Sequence, residues 1–160
     1  RDVNAALDNK RITVHQFNGA SKVDHPKSIY ESSGASNIVQ QKTWEQVCKN
    51  LRAQCYLKLR DRVYRTYKAV VDGVMTNPDE LISFASSCEN LTTLRAELCR
   101  MPIKPRSDGL FELYTKKEMR EKFKVRSPNC ADTLMMSERI HDIMEQIDLT
   151  SIYVPTVNAW

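Results

Sequence analysis

At 160 residues the chain is long enough for one domain with a buried core, and 41% apolar against 28% charged residues excludes a disordered polymer. No apolar run approaches the ~20 residues that span a bilayer, and the opening stretch, RDVNAALDNKR, has no signal-type apolar segment. The net charge of +4 is concentrated in two blocks, so it bears on the partner more than on solubility. An intracellular protein with a single domain over 1–160 is expected.

Residues 2–9 read as the end of a helix, and RITVHQF (11–17), rich in β-branched residues, reads as a short strand. Gly, Ser, Asn and Pro dominate 18–37, where no period holds; this is a long loop, and loops of that length in compact domains tend to be functional. From 41 to 71 the sequence predicts one long helix. Trp44, Val47, Cys48, Leu51, Cys55, Leu59 and Val63 recur at steps of three and four and form its apolar stripe. Lys49, Arg52, Lys58, Arg62 and Arg65 fall mostly off that stripe, and Asp72-Gly73 ends it. NPDELISFASS (77–87) predicts a shorter helix, with Asn77 as cap and Pro78 at its first position. LTTLRAELCRM (91–101) predicts a third, stopped by Pro102.

IKPRS and LFELY predict two strands joined by a tight turn at Asp108-Gly109. Thr115 followed by Glu118 forms a capping box for KKEMREKF. Ser127-Pro128 opens the last helix, which runs to about 147, and an extended tail occupies 148–160. Helices outnumber strands, which places the chain in the α/β or α+β class.

The five cysteines are widely spaced and form no CxxC pair, so neither a disulfide framework nor a zinc knuckle is indicated. Cys48 and Cys55 lie two helical turns apart and read as small apolar fillers of a buried face. The three histidines have no ligand-spaced neighbour and read as structural. Residues 49–68 carry seven Lys or Arg against one acid, and 116–126 carry six against two. Such blocks suit an anionic partner, nucleic acid first, although each alone also fits a solvated helix face.

No GxSxG motif and no Gly-rich phosphate loop is present, and four glycines in all leave no room for a P-loop or Rossmann-type nucleotide site. Carboxylate and metal chemistry remains. Mg²⁺ or Mn²⁺ takes oxygen ligands and keeps several waters, so a few Asp or Glu residues from different elements suffice. Asp132, at the start of the last helix and just after a basic block, is compatible with that role. On the residues alone, a carboxylate that merely faces solvent is the favoured reading.

The order of elements adds a further signal. The hairpin strand followed by TKKEMREKFKVRSPNCADTLMMS resembles the C-terminal end of the nuclease domain of tailed-phage large terminase subunits. In that family a strand leads into a Lys-rich turn, a short helix and a Ser-Pro-Asp-x-Ala-Asp-Ala-Leu stretch. KNLRAQCYLKLRDRV resembles the family's Asn-x-Arg-Ala-x-x-Tyr-x-x-Leu-Arg-Asp helix through Asn50, Arg52, Ala53, Tyr56, Leu59, Arg60 and Asp61. The opening helix end, the strand and the Phe-Asn-Gly-Ala loop agree as well, so the resemblance covers about 1–140.

The resemblance implies a ribonuclease-H-like α/β fold, helix-rich with a short sheet, whose opening strands are not represented. It also implies an endonuclease that cuts concatemeric viral DNA during genome packaging with a divalent metal, Mg²⁺ or Mn²⁺. The last acid of the family's metal cluster corresponds to Asp132, after Ala131, with Ser127 expected to cap the helix beneath it. Asn129 stands where the family has Asp and would act only behind the metal ligands. The family's first two catalytic acids precede residue 1; Asp2, Asp8 and Asp24 have no motif support. The chain alone is therefore expected to cleave slowly or not at all, and to self-associate through an open sheet edge.

Lys116, Lys117, Arg120, Lys124 and Arg126 are expected to form a DNA-contacting strip, while Arg52 and Arg60 brace the long helix through acids such as Asp61. In the intact protein the implied partners are double-stranded DNA, an ATPase domain, the portal and the small terminase subunit, in the host-cell cytoplasm and without a membrane. Two other readings compete: a non-catalytic helical module that binds nucleic acid or protein through its basic faces, and a related fold used in recombination or transposition.

Overall fold

The computed structural model describes residues 15–31 and 42–145. Five α-helices order this part: α1 (Trp44–Val47), α2 (Leu51–Val71), α3 (Leu91–Cys99), α4 (Lys116–Phe123) and α5 (Asn129–Glu145), with a 3₁₀ turn at Pro78–Glu80. None is long and apolar enough to cross a membrane. The expected helix end at 2–9 and the tail at 148–160 lie outside the described residues.

The single helix expected over 41–71 is two helices. The chain leaves helical geometry at Cys48 and re-enters at Asn50, whose side chain accepts the Ala53 N–H as an N-cap. The break has a tertiary cause. Phe111 N–H donates to Val47 O at 2.7 Å and Lys49 N–H donates to Phe111 O at 3.0 Å, so the 48–49 backbone pairs with the hairpin instead of continuing a helix.

The three orphan amides at the start of α2 find acceptors, and the first intrahelical bond follows them. Leu51 N–H donates to Ser21 O (2.9 Å), Arg52 N–H to Gly19 O (3.0 Å), Ala53 N–H to Asn50 Oδ1 (2.9 Å) and Gln54 N–H to Asn50 O (3.0 Å). The loop 18–24 is thus part of the cap. It approaches so closely that a Cβ on Gly19 would sit 3.0 Å from Arg52 Cβ. Buried Gln54 completes the attachment, receiving Asp24 N–H at 2.7 Å and donating to Asp24 O at 2.9 Å.

Over its first three turns α2 is buried almost all round. One face packs Leu51, Cys55, Tyr56 and Leu59 against Leu113 of the hairpin and Ala131 and Met135 of α5. The other packs Ala53 and Leu57 with Val23 and Cys48. Cys48 and Cys55 are buried fillers, as expected, and burial pushes the Cys48 thiol up to about 12. Beyond Asp61 the helix emerges: Val63, Tyr67, Val70 and Val71 are exposed. The C-terminal half is tied by Arg62, which bonds buried Glu138 of α5 at 2.9 Å and Leu81 O at 2.7 Å.

One expectation about secondary structure is corrected and another is met only in part. Of the helix expected at 77–87 only the 3₁₀ turn forms; Asn77 caps it, but Ile82 N–H is taken by the Thr66 hydroxyl of α2 at 2.9 Å. The expected short sheet is reduced, among the described residues, to three isolated bridges: Ile29 with Thr43, Cys48 with Phe111 and Ile103 with Leu113. The last belongs to the expected hairpin, whose turn is held by Gly109 at φ +73° and by the Arg106 guanidinium gripping Asp108 and Glu112. Residues 15–17 of the expected opening strand are irregular, and 11–14 lie outside the described residues.

α3, α4 and α5 form where their signals lie. The capping box of α4 is complete: Thr115 accepts Glu118 N–H and Glu118 accepts Thr115 N–H at 2.8 Å. Lys104 and the Thr115 bonds hold the Glu118 carboxyl down at about 2. α4 ends on Lys124 in left-handed geometry, φ 56°.

Candidate functional site

Asp132 is carried by the first turn of α5 and is 6% exposed. A carboxylate that deep requires compensation, and three elements supply it. Tyr56 of α2 donates its hydroxyl to Oδ1 at 2.8 Å. Arg52, one turn earlier on the same helix face, donates Nη2 to Oδ1 at 3.2 Å. Lys116, the first residue of α4, places its ammonium 2.9 Å from Oδ2. That ion pair occupies Oδ2, so each carboxylate oxygen has a partner.

The surroundings fix each partner. The Arg52 guanidinium also donates to Tyr114 O at 2.9 Å and lies 5.3 Å from the Tyr56 ring centroid. Tyr114 immediately precedes the Thr115 cap, so one arginine ties the start of α4 to α2 and α5. Burial pushes the Asp132 carboxyl up, but Lys116, Tyr56 and Arg52 outweigh it and hold it below its ordinary value. Burial and the bond to Asp132 push the Tyr56 phenol well above its usual range, so it stays protonated and donates. At neutral pH the cluster is one carboxylate and two cations, a net positive spot suited to an anion.

The expected cap beneath Asp132 is corrected. The Ser127 hydroxyl is directed to Asn129 Oδ1 at 2.8 Å, and Glu97 Oε2 of α3 accepts the Ala131 N–H at 2.8 Å. Asn129 is exposed. Lys117 is exposed with its ammonium 4.0 Å from Glu121, Arg120 is exposed, and Lys124 and Arg126 border a cleft beside Pro128. The expected strip is thereby divided: Lys116 joins Asp132, and the rest do not touch it. Arg60 braces Asp61 at 2.8 Å as expected, whereas Arg52 reaches Asp132 instead.

Arg52 and Tyr56 as partners of Asp132 were missed because 80 and 76 residues separate them from it. Their spacing of four on one helix was the available signal. Asp24, without motif support in the sequence, pairs with Arg139 at 3.1 Å.

A divalent metal is implied by the motif resemblance, and the donor set decides whether the described residues fit one. Among them no group of three or more His, Cys, Asp or Glu side chains converges. Around Asp132 both carboxylate oxygens already have partners, and the charged neighbours are cations. One donor fits; the set does not.

Solved structures with the same fold include the nuclease domain of the large terminase subunit of bacterial virus Sf6. It is 34% identical, with a TM-score of 0.71, over 86% of this chain and 61% of that one. A lysine-to-alanine variant of that domain with manganese is 36% identical at a TM-score of 0.65, over 76% and 51%. A variant with calcium is 34% identical at 0.69, over 85% and 60%. No family model matches the sequence, and no curated protein matches it. Over most of its length the chain matches a phage large-terminase nuclease domain, as the motifs indicated. It spans between 51% and 61% of the neighbours' length.

Proposed function

We propose that the chain is part of a divalent-metal-dependent endonuclease that cuts concatemeric viral DNA during genome packaging, and that Asp132 is its metal-facing carboxylate. The observation that carries this reading is a buried carboxylate held in the first turn of α5, in a chain that matches a nuclease domain solved with manganese. Mg²⁺ or Mn²⁺ would need its remaining ligands from outside the described residues, and slow or no cleavage by the chain alone is part of the proposal. A ribonuclease-H-like fold with a short sheet, double-stranded DNA as substrate, and an ATPase domain, portal and small subunit as partners in the host cytoplasm complete the proposal. Asn129, exposed and bonded to Ser127, has at most a role behind the ligands.

Mn²⁺ titration by calorimetry on the chain and on Asp132→Ala tests it. Binding on the order of millimolar, as one carboxylate with waters allows, is expected in the first and absent in the second. Equal heats in both would remove Asp132 from the metal site. A second reading then takes over, favoured by the contacts of Arg52 and Lys116 on both carboxylate oxygens: Asp132 as the structural knot joining α2, α4 and α5.

A further inference from the structure

The basic strip expected from sequence runs along one segment, but the structure gathers its C-terminal part into something more definite. A cleft of about 710 Å³ opens between α3, the end of α4 and the turn 124–128. Lys124 and Arg126 form one border, and Arg100, at the C-cap of α3, is on the other with Thr92 and Thr93. Arg100 lies in no motif and in neither basic block. All three cations are exposed, and among the described residues none is ion-paired or hydrogen-bonded through its side chain. Glu97 is the one acid lining the cleft, and its carboxylate is engaged by the Ala131 N–H.

We infer that this cleft holds the phosphodiester backbone of duplex DNA, with Arg100, Lys124 and Arg126 contacting successive phosphates and Arg100 supplying the wall opposite the strip. The inference rests on the nuclease reading above and names where its substrate lies. Three unpaired cations from two segments around one cleft satisfy what backbone binding needs, which is positive charge and hydroxyl donors without base readout. Position supports the same conclusion. Pro128 lines the cleft, and its carbonyl accepts the Asp132 N–H at 2.8 Å, so the cleft borders the turn that carries the candidate carboxylate. Lys117 and Arg120 do not line the cleft and are not assigned to it.

The test is fluorescence anisotropy of a labelled 20-base-pair duplex with the full 160-residue chain, across 20 to 200 mM salt and without metal. The triple variant Arg100→Ala, Lys124→Ala, Arg126→Ala is expected to bind at least tenfold more weakly at 50 mM salt. Its log–log salt slope should be shallower by about 2 to 3, one counterion's worth per lost phosphate contact. Arg100→Lys with Arg126→Lys should keep the slope, which separates lost charge from a damaged fold, and matching thermal midpoints check the fold directly. Lys117→Ala with Arg120→Ala should change binding by less than threefold. Polyglutamate should compete poorly; equal competition would mark a general polyanion surface and overturn the assignment. Wild-type binding with an unaffected triple variant sinks the cleft alone, while a wild type that fails to bind DNA at 20 mM salt sinks the DNA reading of the proposed function as well.

Discussion

Removing the charge of Asp132 strands a guanidinium and an ammonium that face it together. Asp132→Asn is therefore expected to cost about 3 kcal/mol in urea denaturation at pH 7, the scale of breaking a buried pair. The pH dependence has a definite sign. A carboxyl held below its ordinary value contributes stability above the unfolded value near ~4, and that contribution is lost as pH falls through the lower folded value. The gap between wild type and Asp132→Asn should thus be full at neutral pH and shrink only below pH ~4; a gap unchanged down to pH 2 would deny the ion pairing its role. Tyr56→Phe removes one donor to Oδ1 and should cost about 1 kcal/mol. The sequence marked Asp132 through its motif but hid its partners, because pairing across two helices depends on how they cross and no local pattern encodes that.

At the level of elements, helix starts were legible wherever the cap is local. Thr115 with Glu118, Asn77 with Pro78, and the Asp108-Gly109 turn all occur where the residues announce them. What escaped was set by distant backbone. The gap between α1 and α2 exists because Phe111 claims the amide and carbonyl flanking Cys48, and Asn50 then restarts the helix. Likewise 81–87 has helical composition, but a threonine hydroxyl of α2 binds the backbone N–H of Ile82. Loop 18–31 had no period to read, yet its carbonyls complete the α2 cap. Gln54→Leu, which keeps volume and removes both bonds to Asp24, is expected to lower stability by about 2 kcal/mol and to release that loop. Limited proteolysis should then cut near Lys22 faster than in wild type, while equal cutting rates would show the loop to be held by other contacts.

Across the whole molecule stability is uneven, and α2 shows the gradient best. Its first three turns are buried almost all round, whereas its last turns carry exposed Val70 and Val71. Amide exchange by mass spectrometry is expected to place 53–61 among the slowest regions and 68–74 among the fast ones, with protection dropping past Asp61. Uniform protection along the helix would mean that something covers its outer half in solution. Charge is also organised globally. The ion pairs Arg62–Glu138, Arg52–Asp132 and Arg139–Asp24 consume cations in linking segments, while Arg100, Lys124 and Arg126 are left facing outward.

Lys124 adds a consequence of its own. Its left-handed backbone is the geometry glycine adopts without penalty, and a lysine there costs roughly 1 kcal/mol. One substitution, Lys124→Gly, should therefore move two properties in opposite directions, raising the melting temperature while weakening the hold on DNA. A site under selection for robustness alone would settle on glycine. The chain instead spends a little of its thermal margin to keep a cation at the lip of the cleft.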